Sequence, residues 1–315
     1  MPPNNSGRTI CTTRLNICLK KATKSIYFLY LCKDNILRRY LDCLIAKINE
    51  MPLVRPKKSL GQHFLKDLQI AQRIADTVDV CPQLPILEVG PGMGVLTQFL
   101  IPKKRDLKVV ELDTESVAYL QEHFPEIEDK IIANDFLKMD LSKVFEGQPF
   151  VLTGNYPYNI SSQIFFKMLE YKDLIPCCTG MIQKEVAERI AATPGHKTNG
   201  ILSILIQAWY RVEYLFNVDE HVFNPPPKVK SAVIRMTRNE TTDLGCDEKL
   251  FKQIVKTTFN QRRKQMRNSI QTILPKDNPF SNDPILNLRP EQLSVHEFID
   301  LTNRVDAALK DCPVK

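Results

Sequence analysis

The segment at residues 154–159, G-N-Y-P-Y-N, places hydrogen-bond acceptors beside an aromatic ring and so suits a planar amine. The Asn155 side-chain carbonyl and the Tyr156 backbone carbonyl would accept both amine hydrogens and favour a pyramidal, more nucleophilic nitrogen. Pro157 fixes the turn, and Tyr158 offers a ring face for stacking. No strong base is required, so catalysis would depend on positioning and electrostatics. The alternative interpretation is a buried turn with a packing tyrosine.

Three apolar strand candidates precede this segment, and each ends at residues that suit an adenosine-containing cofactor. In the run E-V-G-P-G-M-G at 88–94, Gly90 and Gly92 let the backbone approach a ligand at a helix N-terminus. Glu111 closes the second strand, where a carboxylate can accept both hydroxyls of a ribose. Asp135 follows the third strand and could accept the exocyclic amine of an adenine. Together the three strand ends favour cofactor binding over solvated turns.

The glycine spacing differs from the dinucleotide-binding pattern G-x-G-x-x-G. The third glycine, Gly94, comes one residue early, and Val95 stands in its place. This departure counts against a pyrophosphate ligand and therefore against a nicotinamide oxidoreductase. We expect Asp113 to cap the helix that begins at Thr114 rather than to bind a ligand.

Alternating strand and helix patterns predict an α/β fold with a parallel sheet covered on both faces. The predicted strands are 85–89, 107–111, 130–133, 150–153 and 179–182, and the predicted helices are 67–78, 95–100, 114–123 and 160–169. Residues 211–218 and 231–236 indicate sheet-edge strands, with a proline loop at 224–227 between them. Beyond residue 238 the pattern predicts only helices, at 248–258, 261–272 and 295–308.

A polar stretch at 239–244 suggests a boundary between a domain at 51–238 and a smaller helical domain at 239–315. Residues 1–50 differ from both, since they have no acidic residue before Asp34 and carry nine basic and three acidic residues. That composition resembles an organelle transit peptide. We favour a gene-model artefact, because the first recognisable element begins just after Met51.

The net charge of +7 over 315 residues comes mainly from residues 1–50, so it says little about a polyanionic partner. No apolar run approaches the roughly 18 residues that a membrane helix needs. Nine cysteines without a C-x-x-C pair indicate reduced thiols in a cytosol-like compartment, and the missing ligand spacing argues against a metal site.

Local basic clusters are more informative than the net charge. The first comprises Arg55, Lys57 and Lys58, just before Gln62 and His63; we interpret His63 as a loop residue near the cofactor. The second is free of acidic residues and contains Lys249, Lys252, Lys256, Arg262, Arg263, Lys264 and Arg267. Because this run has a single sign, phosphate contacts are at least as good an interpretation as a solvated helix face.

The ordered motifs resemble the ribosomal RNA adenine dimethyltransferase family from about residue 55 to the C-terminus. The matching segments are S-L-G-Q-H-F-L at 59–65, 88–94, E-L-D at 111–113, N-Y-P-Y-N-I at 155–160, Q-K-E-V at 183–186, 223–233 and F-N-Q-R-R-K at 259–264. The resemblance implies a Rossmann-like class I methyltransferase sheet that binds S-adenosyl-L-methionine, followed by a smaller all-helical C-terminal domain that helps bind RNA.

The resemblance also implies roles for individual residues. Gln62 and the Gly90 loop would hold the methionine part of the cofactor, Glu111 its ribose and Asp135 its adenine. Asn155, the Tyr156 carbonyl and Tyr158 would hold the target adenine, with Phe223 stacking on its other side. The family more commonly has leucine at the position of Tyr156, which a backbone role tolerates.

Two branches of the family compete. One dimethylates two adjacent adenines near the 3′ end of small-subunit ribosomal RNA; the other modifies large-subunit RNA and confers macrolide resistance. The segments 223–229 and 260–264 favour the first branch, which implies the immature small ribosomal subunit as partner. A ribosome-assembly factor that binds RNA without catalysis is the alternative of a different class. We expect a cytoplasmic monomer, or an organellar protein if residues 1–50 are a genuine transit peptide.

Overall fold

The computed structural model describes residues 54, 56–57, 60–274 and 279–311. The extension at 1–50 and the basic residues Arg55 and Lys58 lie outside these ranges. The strands are β1 (Phe64–Leu65), β2 (Ile86–Val89), β3 (Leu107–Glu111), β4 (Ile131–Ala133), β5 (Val151–Asn155), β6 (Cys177–Gln183), β7 (Tyr210–Val218), β8 (Phe223–Asn224) and β9 (Ser231–Arg238).

The α-helices are α1 (Leu68–Asp76), α2 (Thr97–Leu100), α3 (Thr114–His123), α4 (Ser161–Glu170), α5 (Lys184–Ile190), α6 (Ile201–Gln207), α7 (Glu248–Asn260), α8 (Met266–Ile270) and α9 (Val295–Asp311). Short 3₁₀ turns are Thr77–Val80, Ile101–Lys103, Pro125–Lys130, Phe136–Lys138, Leu141–Lys143, Glu220–Val222, Pro279–Asn282, Pro284–Asn287 and Pro290–Gln292.

A seven-stranded sheet in the order β4-β3-β2-β5-β6-β9-β7 forms the centre of the fold. The strands from β4 to β6 are parallel, as the alternating pattern predicts, and β9 is antiparallel to both β6 and β7. The prediction that 231–236 forms an edge strand is wrong, because β9 lies inside the sheet. Its run from Ser231 to Ile234 is buried throughout, which is typical of a strand covered on both faces.

The parallel strands bury side chains on both faces, which explains their continuous apolar runs. Ile86 and Val151 belong to one core cluster, whereas Leu87 and Leu152 belong to the other. Helix α1 covers the first face with three buried residues at helical spacing, and Asp67 caps it by accepting hydrogen bonds from two backbone amides. The sheet is therefore held rigidly between two layers, so its strand ends keep fixed positions.

The C-terminal helices pack on the second face of the sheet. Leu202 of α6, Phe251 of α7 and Phe298 of α9 share one core cluster, so the core is continuous across residues 239–244, and the domain boundary stays a prediction. The predicted helix at 261–272 is wrong at its start, because α8 begins only at Met266. Residues 261–265, Q-R-R-K-Q, offer no apolar side chain to bury, and the Met266 amide instead donates to the Leu288 carbonyl.

The sequence patterns do not predict four short elements, α5, α6, β1 and β8. Helix α5 follows β6 without a linker, and the apolar run of α6 has no clear helical period. Strands β1 and β8 pair antiparallel as a separate ribbon, with Phe64 opposite Asn224 and Leu65 opposite Phe223. The predicted loop at 224–227 therefore begins one residue later than expected. The ribbon brings together two motifs that lie about 160 residues apart in the sequence.

Within the described ranges, no helix combines the length and apolar character needed to cross a membrane. Four cysteines of this part of the chain, Cys81, Cys177, Cys178 and Cys246, are free thiols. No group of three histidine, cysteine or acidic side chains among the described residues is arranged to hold a metal ion.

Candidate active site

The candidate site is a cavity of about 200 Å³ at the carboxyl ends of β2 to β5. The chain leaves β2 towards β3 and β4 and then returns to β5 on the other side, so β2 and β5 flank the topological switch point where ligands of open α/β sheets bind. Predicted site residues that line the cavity are Gln62, His63, Gly90, Gly92, Glu111, Asp135, Asn155, Tyr156, Pro157 and Tyr158.

The loop after β2 needs glycine for two reasons. Gly90, Gly92 and Gly94 all have positive φ angles, of 67°, 55° and 72°. A Cβ on Gly92 would lie 2.9 Å from the Phe64 ring, and one on Gly94 would lie 2.3 Å from the Phe124 ring. Gly94 thus permits close packing of Phe124, which gives a structural reason for the early third glycine. Gly90 has room beside Pro157 but keeps the backbone conformation.

Three backbone amides orient the Glu111 carboxylate. Its Oε2 accepts from the Gly92 amide at 3.0 Å, and its Oε1 accepts from the Leu112 and Asp113 amides at 2.9 Å each. Burial raises the pKa of Glu111, while these hydrogen bonds oppose the rise. The predicted ribose acceptor is therefore fixed at the edge of the cavity before any ligand binds.

The segment before β1 is tied to the turn after β3. Lys57 forms ion pairs with Asp113 and, at 3.1 Å, with Glu115. Gln62 Nε2 donates to Asp113 at 3.3 Å, and Gln62 Oε1 accepts from the Lys57 amide at 2.9 Å. Asp113 also caps α3, as predicted, by accepting from the Glu115 amide. The Lys57 charge is thus compensated inside the protein, and its contact with RNA stays a prediction.

The turn after β4 holds Asp135 at the far side of the cavity. Asp135 Oδ1 caps the next 3₁₀ turn by accepting from the Leu137 amide at 3.0 Å, and Oδ2 lies 3.4 Å from Lys138 Nζ. The Asn134 side chain accepts from the Asp135 amide at 2.7 Å and further fixes this turn. The assignment of Asp135 to the cofactor adenine stays a prediction.

The acceptor turn after β5 contacts the ribbon formed by β1 and β8. Asn155 Nδ2 donates to the His63 carbonyl at 3.2 Å, which leaves the amide oxygen as the acceptor it can offer to a ligand. The His63 ring stacks on Tyr158 at 5.4 Å, and His63 Nδ1 donates to the Pro225 carbonyl at 2.8 Å. The Tyr158 hydroxyl is hydrogen-bonded to Ser231.

Phe223 lies outside the cavity. Its side chain is only 1% exposed and packs in the core beneath the β1–β8 ribbon. Stacking of Phe223 on a target adenine therefore stays a prediction that would require the ring to move. The strand that pairs with it, Phe64–Leu65, nevertheless directly follows His63, whose carbonyl accepts the hydrogen bond from Asn155.

Glu88 is a cavity residue that the sequence patterns missed. It is 1% exposed, lines the cavity, and accepts a hydrogen bond of 2.7 Å from the Thr97 hydroxyl. Burial, together with the nearby Glu111 charge, raises its pKa to about 8. The available signal was a lone glutamate inside the apolar strand at 85–89, a pattern that indicates a buried acid rather than a solvated one.

The raised pKa of Glu88 predicts a pH-dependent stability. Between its unfolded value of 4.5 and about 8, the folded state holds one proton more than the unfolded state. Glu88 therefore makes its full contribution to the free energy of unfolding below pH 4.5. This contribution falls as pH rises towards 8, by up to about 1.4 kcal/mol per pH unit. We expect Glu88→Gln to remove that loss.

Urea denaturation of the ligand-free protein between pH 5.5 and 7.5 measures this effect as the difference between wild type and Glu88→Gln. Glu126→Gln, at an exposed glutamate, is the matched control and should follow the wild-type profile. Parallel profiles for Glu88→Gln and wild type would show that Glu88 is ionised in the folded protein.

The second basic cluster lies on α7, the following turn and α8. Arg262, Arg263 and Lys264 sit in the turn and form no ion pair with any other residue that the structure describes. Arg267 donates to the Asn287 side chain at 2.8 Å, and Lys256 lies 5.7 Å from the Phe166 ring centre. The turn thus presents three uncompensated cations, whereas Arg267 is already engaged.

The known proteins that this chain resembles are ribosomal RNA methyltransferases. The profile of the family described as Ribosomal RNA adenine dimethylase matches residues 54–306. The chain is 80% identical to "Ribosomal RNA small subunit methyltransferase A" of Phocaeicola vulgatus over 261 residues, covering 83% of this chain and 93% of that protein. It is 76% identical to the protein of the same name from Bacteroides thetaiotaomicron over 260 residues, covering 82% and 97%.

Solved structures agree on the fold. A dimethyladenosine transferase from Plasmodium falciparum superposes with a TM-score of 0.65 at 25% identity, covering 78% of this chain and 98% of that chain. The 23S rRNA methyltransferase ErmE superposes with a TM-score of 0.57 at 26% identity, covering 77% and 99%. The sheet and the helices that follow it are thus a Rossmann-like class I methyltransferase fold with a helical C-terminal part.

Proposed function

The chain belongs to the ribosomal RNA adenine dimethylase family and is a methyltransferase of the S-adenosylmethionine-dependent class, and we propose that it dimethylates two adjacent adenines near the 3′ end of small-subunit ribosomal RNA. The relatives with 76–80% identity are named for the small subunit, which supports this branch over the large-subunit one. The reaction would place two methyl groups on each exocyclic amine during ribosome biogenesis.

One observation carries the catalytic part of this proposal. The acceptor turn at Asn155 and Tyr156 lines the same cavity as Glu111 and Asp135, so an amine and a nucleoside cofactor can meet there. A protein that only binds RNA has no need of two acceptors at the switch point of the sheet. This arrangement favours the enzyme over the non-catalytic assembly factor.

The residues present fit the cofactor. Glu111 offers a carboxylate already oriented for a ribose diol, and Asp135 offers one for the adenine amine. The Gly90 loop lets the backbone approach the methionine part, with Gln62 and His63 on the facing side of the cavity. When bound, S-adenosyl-L-methionine supplies an electrophilic methyl group on a sulfonium.

The protein's own residues then act on the target amine. The Asn155 amide oxygen and the Tyr156 carbonyl accept its two hydrogens, which localises the nitrogen lone pair for attack. Because both acceptors carry partial negative charge, they also stabilise the positive charge that develops on nitrogen. Tyr158, held by His63 and Ser231, presents its ring to a base that has left its helix.

Methyl transfer from labelled cofactor to immature small ribosomal subunits tests the proposal. We expect incorporation into small-subunit RNA and none into large-subunit RNA, with primer extension locating two adjacent adenines near the 3′ end. Binding without incorporation would favour the assembly factor. Modification confined to large-subunit RNA would overturn the choice of branch.

We propose the turn at Arg262, Arg263 and Lys264 as a phosphate-binding surface. Replacing Arg262 and Arg263 by alanine should weaken binding to the small subunit and lower the slope of log K against log salt by about two, because each cation lost releases one counterion fewer. Filter binding at several salt concentrations measures both effects.

The matched control for this double variant replaces Lys143 and Lys310, two cations already paired with Asp140 and Asp306. It removes the same formal charge but should leave the salt slope unchanged. If the slope of log K against log salt fell equally in both double variants, the effect would come from net charge alone. That result would contradict a local phosphate contact.

We further propose that the enzyme acts as a monomer and that it acts in the cytoplasm, the compartment in which bacteria such as those of its named relatives assemble small subunits. Residues 1–50 lie outside the described part of the chain. Mass spectrometry of the native N-terminus tests the expectation that translation begins at Met51, which a peptide from residues 8–47 of the mature protein would contradict.

A further inference from the structure

The Tyr156 side chain is buried beneath the acceptor turn and bound at its far end to the neighbouring strand. It is 1% exposed, and its hydroxyl lies 3.0 Å from the Thr179 carbonyl and 3.3 Å from Cys178 Sγ. A carbonyl can only accept, so the hydroxyl hydrogen goes to Thr179 and the thiol can donate to the hydroxyl oxygen. The Tyr156 amide also donates to the Met181 carbonyl at 3.0 Å. Both ends of Tyr156 are thus fixed to β6.

A glycine on β6 provides the space for the Tyr156 ring. Gly180 lies opposite Gly154 in the pairing of β5 with β6. A Cβ on Gly180 would lie 2.7 Å from Tyr156 Cε2 and 2.3 Å from the Gly154 carbonyl oxygen, so no other residue fits. The ring also meets Phe165 edge to face at a centroid distance of 5.7 Å. Tyr156 and Gly180 therefore form one packing unit under the turn.

We propose that Tyr156 is a positioning residue whose side chain, anchored through its hydroxyl to the Thr179 carbonyl, fixes the direction of its own backbone carbonyl towards the target amine. This inference rests on the proposed function, which makes that carbonyl an acceptor. A leucine at this position would fill part of the volume, but its hydrocarbon side chain has no donor or acceptor to bond to β6. The tyrosine thus adds rigidity to a backbone acceptor that must be held to a fraction of an ångström.

The second methyl transfer depends most on this rigidity. In each transfer the nitrogen forms an N–C bond as the sulfonium S–CH₃ bond breaks, and the nitrogen loses one proton to solvent. After the first transfer the amine keeps one hydrogen, so only one of the two acceptors can still hold it and the new methyl group must fit beside the other. A carbonyl that moves by even a small distance therefore impairs the second transfer more than the first.

Tyr156→Phe tests this role, with Tyr210→Phe as its matched control. Tyr210 is also 1% exposed, and its hydroxyl donates to a backbone carbonyl, that of Ile175 at 2.9 Å, in the core away from the cavity. Both variants lose one buried hydroxyl and one hydrogen bond to a carbonyl, so their melting temperatures should fall by similar amounts. Mass spectrometry of the RNA nucleosides then gives monomethyl and dimethyl adenine separately.

We expect Tyr156→Phe to lower kcat by about ten- to a hundredfold and to shift the product towards monomethyl adenine, with an unchanged KM for the cofactor. Tyr210→Phe should stay within about twofold of wild type in rate and product ratio. Equal rates and equal product ratios for the two variants would overturn the positioning role. No methyl transfer by the wild-type protein would instead contradict the proposed function, so the two failures are distinguishable.

Discussion

Replacing Asn155 by alanine is expected to reduce methyl transfer by about a hundred- to a thousandfold while the affinity for the cofactor changes little. The Asn155 amide donates to the His63 carbonyl at 3.2 Å, which leaves its oxygen as the acceptor that the proposed mechanism assigns to the target amine. Loss of that acceptor removes an interaction that strengthens as the nitrogen becomes positively charged, so kcat should fall more than binding.

Single-turnover rates with saturating cofactor measure the chemical step. Calorimetric titration of the ligand-free protein with the cofactor measures cofactor affinity. Asn239→Ala is the matched control, since Asn239 is also half-buried and donates to a backbone carbonyl, that of Ala208, far from the cavity. It should keep the wild-type rate. A loss of cofactor affinity as large as the loss of rate would assign Asn155 to the cofactor instead of the target.

Replacing Glu111 by glutamine should give the opposite pattern, a loss of cofactor affinity of about 30- to 150-fold. Hydrogen bonds to a charged acceptor contribute about 1.5–3 kcal/mol, and those to a neutral one about 0.5–1.5 kcal/mol. Two ribose hydroxyls would therefore lose about 2–3 kcal/mol together. The three backbone amides that now bind the carboxylate would also face a side chain with only one acceptor oxygen.

Calorimetric titration with the cofactor measures this loss, and filter binding to the small subunit should show unchanged affinity for RNA. Glu115→Gln is the matched control, because Glu115 lies nearby in the first turn of α3 and pairs with Lys57 at 3.1 Å but is half-exposed and outside the cavity. Unchanged cofactor affinity in Glu111→Gln would contradict the ribose contact.

The contrast between the two variants separates the halves of the cavity. Asn155 ends β5 and Glu111 ends β3, with β2 and its glycine loop between them. If Asn155 serves the target and Glu111 the cofactor, Asn155→Ala should lower mainly the rate and Glu111→Gln mainly the cofactor affinity. Combining them should give the sum of the two effects, since the side chains share no hydrogen bond in the described structure.

Some of the site was readable from the sequence because it depends on local pattern. Parallel strands buried on both faces require continuous apolar runs, and such runs placed β3 without error and β2, β4 and β5 to within two residues. The carboxyl ends of those strands meet at one edge of the sheet, so Gly90, Glu111, Asp135 and Asn155 could be expected to share a cavity, and they do.

Two contacts stay predictions, and in each case the structure adds a partner that lies far away in the sequence. Lys57 belongs to a basic cluster that is predicted to contact phosphates, and it also pairs with two carboxylates about 56 residues further along the chain. Phe223 is predicted to stack on a base, and in the structure it pairs with Leu65 while its side chain is only 1% exposed. In both cases the partner is distant in sequence, so no local sequence pattern predicts the contact.

The sequence by itself determined the strand order along the chain, the acceptor turn and the glycine loop, because periodicity, proline and glycine act on neighbouring residues. Only the tertiary structure decided that β1 pairs with β8, that burial raises the pKa of Glu88 and that Tyr156 reaches Thr179 through the space above Gly180. Each of these depends on contacts and burial between segments that the fold alone brings together.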